Sequence, residues 1–283
     1  MIKGSTRGLC VLGSPIAHSK SPMMHNRAIE LLGLDYAYMA YEVKRENLRA
    51  AVEGLKTLNY RGWNLTMPLK VDVVPMCDEL SDAARLSGAV NTVVNDDGRL
   101  IGHTTDGVGF MRVLADNNIA VKNKKLTMLG AGGAASAIIV QASLDGVDTI
   151  DVFKRKNASW DEVKNFCDKI AAETSCQINL LDIADDSLMK ESIATSQALI
   201  NATNVGMAPD VDSTPVKKEL LNSATPVFDI IYNPMETRLM REAREIGCLA
   251  DNGLFMLLYQ GAESFRLWTG YDMPVEDIKI LFQ

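Results

Sequence analysis

No stretch of this 283-residue chain approaches the ~20 consecutive apolar residues that a membrane-crossing helix requires. No excess of basic residues is present either: 29 Lys and Arg stand against 36 Asp and Glu, a formal charge of −7. The first absence argues against a membrane-spanning helix. The second argues against a nucleic-acid or anionic-membrane partner attracted by a global basic field, so any anionic ligand has to be captured by local geometry. Cysteine is sparse and unpatterned. Cys10, Cys77, Cys167, Cys176 and Cys248 are odd in number, scattered, and include no CxxC pair, which argues against a disulfide framework and against a zinc site. The three histidines, His18, His25 and His103, lack metal-ligand spacing, so no metal is expected. There is no internal repeat, no low-complexity tract and no long linker.

What is present reads as an ordinary folded protein, 47% hydrophobic and 23% charged. At ~150 residues per domain the length suggests two domains. Lys3 and Arg7 followed by the apolar stretch from Gly8 to Ala17 mimic a short signal peptide. The match fails because Pro15 interrupts the stretch and His18, Ser19 and Lys20 stand where small cleavage-site residues belong. A reducing cytoplasmic location is the expectation.

Along the chain, short β-rich runs alternate with helical stretches. Leu9 to Gly13, Tyr36 to Val43 and Gly62 to Thr66 read as strands, with helices over Pro22 to Leu32 and Arg45 to Leu58. Gly88 to Asn95, the turn Asp96-Asp97-Gly98, and Arg99 to Gly102 read as a hairpin closing this unit. The pattern implies a mostly parallel α/β sheet. A helix beginning near Asp106, its expected N-cap, leads into a second alternation: strands at Lys125 to Leu129, Thr149 to Phe153 and Gln177 to Leu181, helices at Gly132 to Leu144 and Trp160 to Glu173. Further short apolar runs follow at Ala198 to Asn201 and Val227 to Ile231, and the remainder from Asn252 is helical. The expected organisation is an N-terminal α/β substrate domain over residues 1–105, rejoined by 255–283, and a Rossmann-like doubly wound dinucleotide-binding domain over 106–254.

The strand ending at Leu129 runs into Gly130-Ala131-Gly132-Gly133-Ala134-Ala135, a GxGxxA turn opening a helix. Glycines there permit a tight turn and let backbone N–H groups approach a pyrophosphate, whose charge the helix N-terminus stabilises. Counting ~20 residues onward nominates Asp151 as the ribose-binding acid, but Asp151 falls inside the run Ile150 to Phe153. Strand phase instead puts Lys154-Arg155-Lys156-Asn157 at the tip, a basic cluster that favours a 2′-phosphate and hence NADP. The competing reading is a solvated basic loop, and Asn157 is able to hydrogen-bond an unphosphorylated ribose, which keeps NAD open.

Three polar clusters in the first unit have no obvious packing role. In Ser14-Pro15-Ile16-Ala17-His18-Ser19-Lys20-Ser21-Pro22, Ser21 reads as a helix N-cap and Ser19 has no such duty; hydroxyls beside a helix N-terminus suit a carboxylate. Asn64-Leu65-Thr66-Met67-Pro68-Leu69-Lys70 puts polar groups at a strand's C-terminal end, where open α/β sheets bind ligands. The third cluster is Gly102-His103-Thr104-Thr105-Asp106-Gly107.

Taken together with GAVNTV, GAGGAA, NATNVGM, IYNP and GLFMLLYQGAESF, the segments SPIAHSKSP, NLTMPLK and GHTTDG resemble, in order and over nearly the whole chain, the shikimate dehydrogenase family, including its quinate/shikimate branch. The resemblance implies an oxidoreductase that interconverts shikimate and 3-dehydroshikimate by hydride transfer with NADP(H) in aromatic amino-acid biosynthesis. It makes Lys70 and Asp106 the catalytic pair. It implies that Ser19 and Ser21 hold the substrate carboxylate with Tyr232 nearby, and that Thr66, Asn91, Asp106 and Gln260 contact ring hydroxyls. Gly130 to Ala134 and Lys154 to Asn157 correspond to phosphate and ribose contacts; Thr203, Asn204, Ile230 and Gly253 correspond to the nicotinamide side. Thr104 stands where the family often has Asn, and Lys-Arg-Lys-Asn replaces the strand tip of the strictly NADP-dependent branch. Quinate as a second substrate, NAD as the cofactor and a homodimer stay open. A catalytically silent dinucleotide sensor is the alternative from another class, and it has no need of both Lys70 and Asp106.

Oxidising a ring alcohol requires a hydride acceptor and a positioned proton acceptor. Lys70 is expected to transfer the proton while Asp106 orients both the hydroxyl and Lys70, the titrating unit being the pair. A cleft between the two domains, hinged near Asp106 and Gly253, is expected to bring nicotinamide and substrate together and exclude water. His18 is expected to be a structural hydrogen-bonder.

Overall fold

The computed structural model describes residues 2–282, which fall into two compact units. One comprises the chain up to Gly109 together with the segment from Leu257 onward, and the other is Phe110–Met256. Among the described residues no helix is long and apolar enough to cross a membrane.

The first unit contains β1 (Arg7–Gly13), α1 (Ser21–Leu31), β2 (Tyr36–Glu42), α2 (Leu48–Thr57), β3 (Gly62–Leu65), β4 (Glu79–Leu80), α3 (Asp82–Ser87), β5 (Thr92–Asp96), β6 (Arg99–His103) and the start of α4 (Asp106–Asp116). Its sheet has the order β2-β1-β3-β5-β6-β4. β1 pairs in parallel with β2 and β3, and β4 with β6, while the β5–β6 hairpin introduces antiparallel pairing to β3 and within itself. β1 lies between parallel neighbours, so its run Leu9 to Leu12 is apolar on both faces and fully buried. The chain returns to this unit with α9 (Leu254–Thr269), which brings Trp268 against β3. A Cβ at Gly62 would lie 2.2 Å from Trp268 Nε1. Glycine therefore lets the helix approach closely enough for Trp268 Nε1 to donate to Val93 O at 2.9 Å. α10 (Val275–Lys279) and a final 3₁₀ turn complete the unit.

The second unit is β7 (Lys125–Leu129), α5 (Gly133–Leu144), β8 (Thr149–Lys154), α6 (Trp160–Glu173), β9 (Gln177–Asp182), α7 (Asp186–Thr195), β10 (Leu199–Asn201), β11 (Val227–Asp229), α8 (Arg238–Glu245) and β12 (Ala250–Asn252). All its strand pairs are parallel, in the order β12-β11-β10-β7-β8-β9. This is a doubly wound sheet whose order reverses between β7 and β10, the place where such folds open a ligand crevice. α5 buries Ala137, Ile138, Ile139 and Val140, matching a helix apolar all round.

Several short elements were absent from the sequence expectation. α3 is only six residues long and is defined by its ends, with Ser81 Oγ accepting from Ala84 N at 3.3 Å and Gly88 at φ +66°. α7 is capped by Asp185, which accepts from the N–H groups of Ser187 and Leu188. α8 and the three-residue β12 fall between Ile231 and Asn252, a stretch to which the sequence reading assigned no element. Two expected caps are corrected. Ser21 is the first residue of α1 rather than its N-cap, and it is Ser19 Oγ that accepts the Ser21 N–H, at 3.3 Å. Asp106 lies inside α4, whose Gly109 N–H is taken by the backbone oxygen of Thr105. His18 is exposed and makes no side-chain hydrogen bond among the described residues, so it is not the structural hydrogen-bonder expected.

Candidate active site

In the first unit, parallel pairing puts the C-terminal ends of β1 and β3 side by side, and the antiparallel hairpin brings the start of β5 and the end of β6 to the same edge. The loops leaving these ends are stitched together by backbone bonds. Ser14 N donates to Met67 O at 3.1 Å, Val90 N to Lys70 O at 2.8 Å, and Asn91 N to His103 O at 3.0 Å. Three segments separated by tens of residues thereby present their polar side chains at one edge.

Lys70 Nζ donates to Asp106 Oδ2 at 2.6 Å, with 32% and 16% of the two side chains exposed. The second carboxylate oxygen of Asp106 accepts from Asn91 Nδ2 at 2.8 Å, and the same amide nitrogen reaches Gln260 Oε1 at 3.4 Å. Lys70, Asn91, Asp106 and Gln260 thus form one connected group. Asn91 is buried and Asp106 half-buried, so the carboxylate is shielded on one side and open on the other. Thr66, just after β3, is half-buried with its N–H on Leu12 O, and its methyl group fills the space a Cβ at Gly13 would need. Ser19 and Ser21 are half-buried at the start of α1 and make no hydrogen bond to the Lys70–Asp106 group. Thr104 is buried.

In the second unit, Gly130 follows β7 with φ +96°, and a Cβ there would lie 2.9 Å from Ala202 O. Only glycine fits where the turn after β7 meets the segment after β10. Gly132 and Gly133 are exposed with nothing within 4 Å of an added Cβ, so backbone at the start of α5 is accessible. Ala131 and Ala134 flank them, half-buried. This open, positively polarised helix end fits a pyrophosphate.

Asp151 is buried in β8, where its carboxylate accepts from Lys125 Nζ at 2.6 Å, Asn179 Nδ2 at 2.8 Å and Ser192 Oγ at 2.7 Å. With those partners it is a structural residue, as its strand phase indicated. At the tip, Lys154 Nζ donates to Asn157 Oδ1, and Lys156 Nζ lies 3.8 Å from Asp182 and over the Trp160 ring. Arg155 is exposed, and its guanidinium makes no hydrogen bond among the described residues.

After β10, Thr203 N and Oγ1 both donate to Asn201 Oδ1, at 3.0 and 2.7 Å, and Asn204 is exposed. Gly253 is buried, and a Cβ there would sit 2.0 Å from Ile230 O, so glycine is required for that contact. Tyr232 is exposed beyond β11. Sequence reasoning missed two residues beneath these loops. Asn201 Nδ2 donates to Asp229 Oδ1 at 3.0 Å, and Asp229 also accepts from Ile231 N and Thr237 Oγ1. Burial pushes the Asp229 carboxyl above its ordinary value, opposed by the bonds from Thr237, Ile231 and Asn201. The available signal was a polar residue closing one short apolar run, Asn201, and another interrupting the next, Asp229. A cavity of about 560 Å³ lies among Lys125, Asp151, Trp160, Leu181 and Ser192, bounded by β9, α6 and α7. The Lys125 and Asp151 charges on its wall are already paired, so we place no site there.

Comparison with known proteins agrees with this arrangement of segments. Residues 11–93 match the model for the shikimate dehydrogenase substrate binding domain, and residues 253–279 the shikimate 5'-dehydrogenase C-terminal domain. The chain is 49% identical over 284 residues to shikimate dehydrogenase (NADP(+)) of Streptococcus equi subsp. zooepidemicus, covering 99% of this chain and 97% of that protein. It is 46% identical over 283 residues to the same enzyme of Listeria monocytogenes, again 99% and 97% covered. The crystal structure of a Listeria monocytogenes shikimate 5-dehydrogenase in complex with shikimate and NAD superposes with TM-score 0.97 at 45% identity, covering 100% of this chain and 98% of that one. On full-length identity at this level, the chain belongs to the shikimate dehydrogenase family.

Proposed function

We propose that the protein interconverts shikimate and 3-dehydroshikimate with NADP(H), as a step of aromatic amino-acid biosynthesis. The observation that carries this reading is the Lys70–Asp106 pair at 2.6 Å, with Asn91 and Gln260 joined to it at the edge where the strands of the first unit end. A ring hydroxyl placed against Asp106 is oriented by the carboxylate and passes its proton to the uncharged amine of Lys70 while the carbon loses a hydride; in the reverse direction the ammonium returns that proton. Thr66, Asn91 and Gln260 supply neutral hydrogen-bonding groups to the other hydroxyls. Ser19 Oγ accepts the Ser21 N–H, which leaves its own proton available to donate to the substrate carboxylate beside the N-terminus of α1, and Ser21 offers a second hydroxyl.

The dinucleotide, when bound, accepts or returns the hydride at its nicotinamide. Gly130 to Ala134 would hold its pyrophosphate, Arg155 a 2′-phosphate, and Thr203, Asn204, Ile230 and Gly253 line the remainder. Streptococcal and listerial relatives carry NADP(+) in their names, which favours NADP. A second reading has its own support. Lys154 and Lys156 already have polar partners in Asn157 and Asp182, leaving Arg155 to meet a phosphate, and the listerial crystal structure contains NAD. That reading is a quinate/shikimate dehydrogenase able to use NAD. The five cysteines are free, in keeping with work in a reducing cytoplasm.

A spectrophotometric assay crossing shikimate and quinate with NADP and NAD tests both. Dominant kcat/KM with shikimate and NADP supports the first reading. Comparable or better rates with quinate or NAD support the second, and no turnover with any combination overturns both.

A further inference from the structure

Behind the Asn91–Asp106 contact lies a ring of buried hydroxyls. Thr92 and Ser264 are fully buried, Thr105 nearly so. Asn91 Nδ2 donates to Thr105 Oγ1 at 3.0 Å. Thr105 Oγ1 lies 3.2 Å from Ser264 Oγ, Ser264 Oγ 2.7 Å from Thr92 Oγ1, and Thr92 Oγ1 donates to Asn91 Oδ1 at 3.0 Å. Three hydroxyls have one proton each. These distances are satisfied when all donate in the same sense, from Thr105 to Ser264 to Thr92 and back to the Asn91 oxygen. The circuit and the Thr105 N–H, which donates to Asn91 Oδ1, agree on which way the Asn91 amide faces. One Nδ2 hydrogen closes the ring and the other is left for Asp106 Oδ1 at 2.8 Å. With the amide reversed, two oxygens would meet at Asp106, and Nδ2 would face the Thr105 N–H that now donates to Oδ1 at 2.9 Å.

Ser264 is the only ring member outside the segment from Asn91 to Thr105. It lies one helical turn beyond Gln260 on α9, donates alternatively to Gln260 O at 3.0 Å, and accepts from Asn64 Nδ2 at 3.1 Å. We infer that Ser264 is a positioning residue for the reaction: it closes the hydroxyl circuit that orients Asn91 toward Asp106, and ties the helix carrying Gln260 to that orientation. Nothing else on α9 hydrogen-bonds both Thr92 and Thr105 among the described residues. The inference rests on the functional reading above.

The test compares Ser264→Ala, Thr92→Val, the double variant and Thr92→Ser in steady-state kinetics with shikimate and NADP. Each single loss of hydroxyl should lower kcat/KM for shikimate about tenfold, because a buried hydrogen-bond network loses more than one pair when opened. The KM for NADP should stay within about twofold on the same argument that the ring touches only the substrate-side group. The double variant should be no worse than the worse single one, since both open the same circuit, and Thr92→Ser should restore the rate. Shikimate kcat/KM of Ser264→Ala within about twofold of wild type, additive losses, or equal impairment by Val and Ser at Thr92 overturns the inference. Should Ser264→Ala not accumulate as folded protein, Ser264→Cys keeps the volume with only a weak donor; it should show the same loss, and a wild-type rate overturns the inference. An inactive wild type defeats the functional reading itself, whereas an active wild type with unimpaired variants defeats only this inference.

Discussion

Each unit contains a shielded Lys–Asp pair at 2.6 Å, Lys70–Asp106 in the first and Lys125–Asp151 in the second, yet the two are suited to different work. Asp151 is 6% exposed in its side chain and takes two further donors, Asn179 and Ser192, while Lys125 also donates to Thr195. Burial alone would raise the Asp151 carboxyl, but the Lys125 ammonium and the Asn179 and Ser192 bonds outweigh it and hold the group below its ordinary value. Among the described residues Lys70–Asp106 has one outside side-chain donor, Asn91, and its lysine side chain is 32% exposed. Position differs as well. Lys125 opens β7, at the end of the sheet opposite the glycine turn, whereas Lys70 and Asp106 follow the C-terminal ends of β3 and β6. A pair with most of its valences filled braces a fold. A pair with valences left over can receive a substrate.

The largest expected effect is on the open pair. Lys70→Met should lower kcat for shikimate oxidation by about a hundred- to ten-thousand-fold, the usual range for losing a general acid/base, with little change in thermal midpoint. Asp106→Asn should follow it. Near-normal turnover by Lys70→Met would falsify the assigned role. Next, Lys125→Met should show the opposite split, with kcat retained and stability reduced by about 2–3 kcal/mol for a largely buried pair broken on one side. That corresponds to roughly 5–10 °C in Tm by calorimetry. Equal loss of kcat in the two lysine variants would erase the distinction.

A pH experiment sharpens the contrast from within the first unit. His25 is fully buried, stacked on Tyr38 with ring centroids 4.3 Å apart, and neither ring nitrogen has a partner among the described residues. Burial lowers its pKa from 6.5 to about 3. The unfolded chain therefore binds a proton below pH ~6.5 that the folded chain refuses until pH ~3, so stability falls as pH drops through that window. The loss is about 1.4 kcal/mol per pH unit at its steepest, or about 2 kcal/mol by pH 5. Urea titrations of wild type and His25→Phe at pH 7 and pH 5 should show the difference shrinking in the variant; an unchanged slope places the acid sensitivity elsewhere. The smallest effect concerns the cofactor. Arg155→Ala should raise the KM for NADP about tenfold, the cost of one charged contact near 1.4 kcal/mol, and leave that for NAD unaltered. Equal changes for both would remove Arg155 from phosphate recognition.

Much of this was legible in the chain. The glycine turn after β7, the strand phase that removed Asp151 from the ribose and the order of the polar segments all depend on residues close in sequence. The missing elements were of two kinds: α3 and β12, without a periodic signal, and α7 and α8, whose ten and eight residues carry an amphipathic pattern that the reading passed over. α3 spans six residues and β12 three, too short for an apolar period to register, and both are held by caps and by neighbouring strands. The two misassigned caps have a common cause. Asp106 and Ser21 have capping chemistry, but an N-cap is decided by which residue first leaves helical geometry, and that depends on where the preceding strand or loop ends. The hydroxyl ring was illegible for another reason: Thr92 and Ser264 are 172 positions apart and unremarkable one by one.

The sequence by itself determined the alternation of strand and helix, the phosphate-compatible turn and the residues able to do the chemistry, because propensity, periodicity and glycine geometry act over a few residues. Only the tertiary structure decided which lysine meets which aspartate. Lys70 and Asp106 are 36 positions apart and join because sheet order puts the ends of β3, β5 and β6 at one edge, whereas Lys125 and Asp151 come from adjacent parallel strands. Strand order and register are properties of the whole sheet, set by collective burial, and no local window contains them.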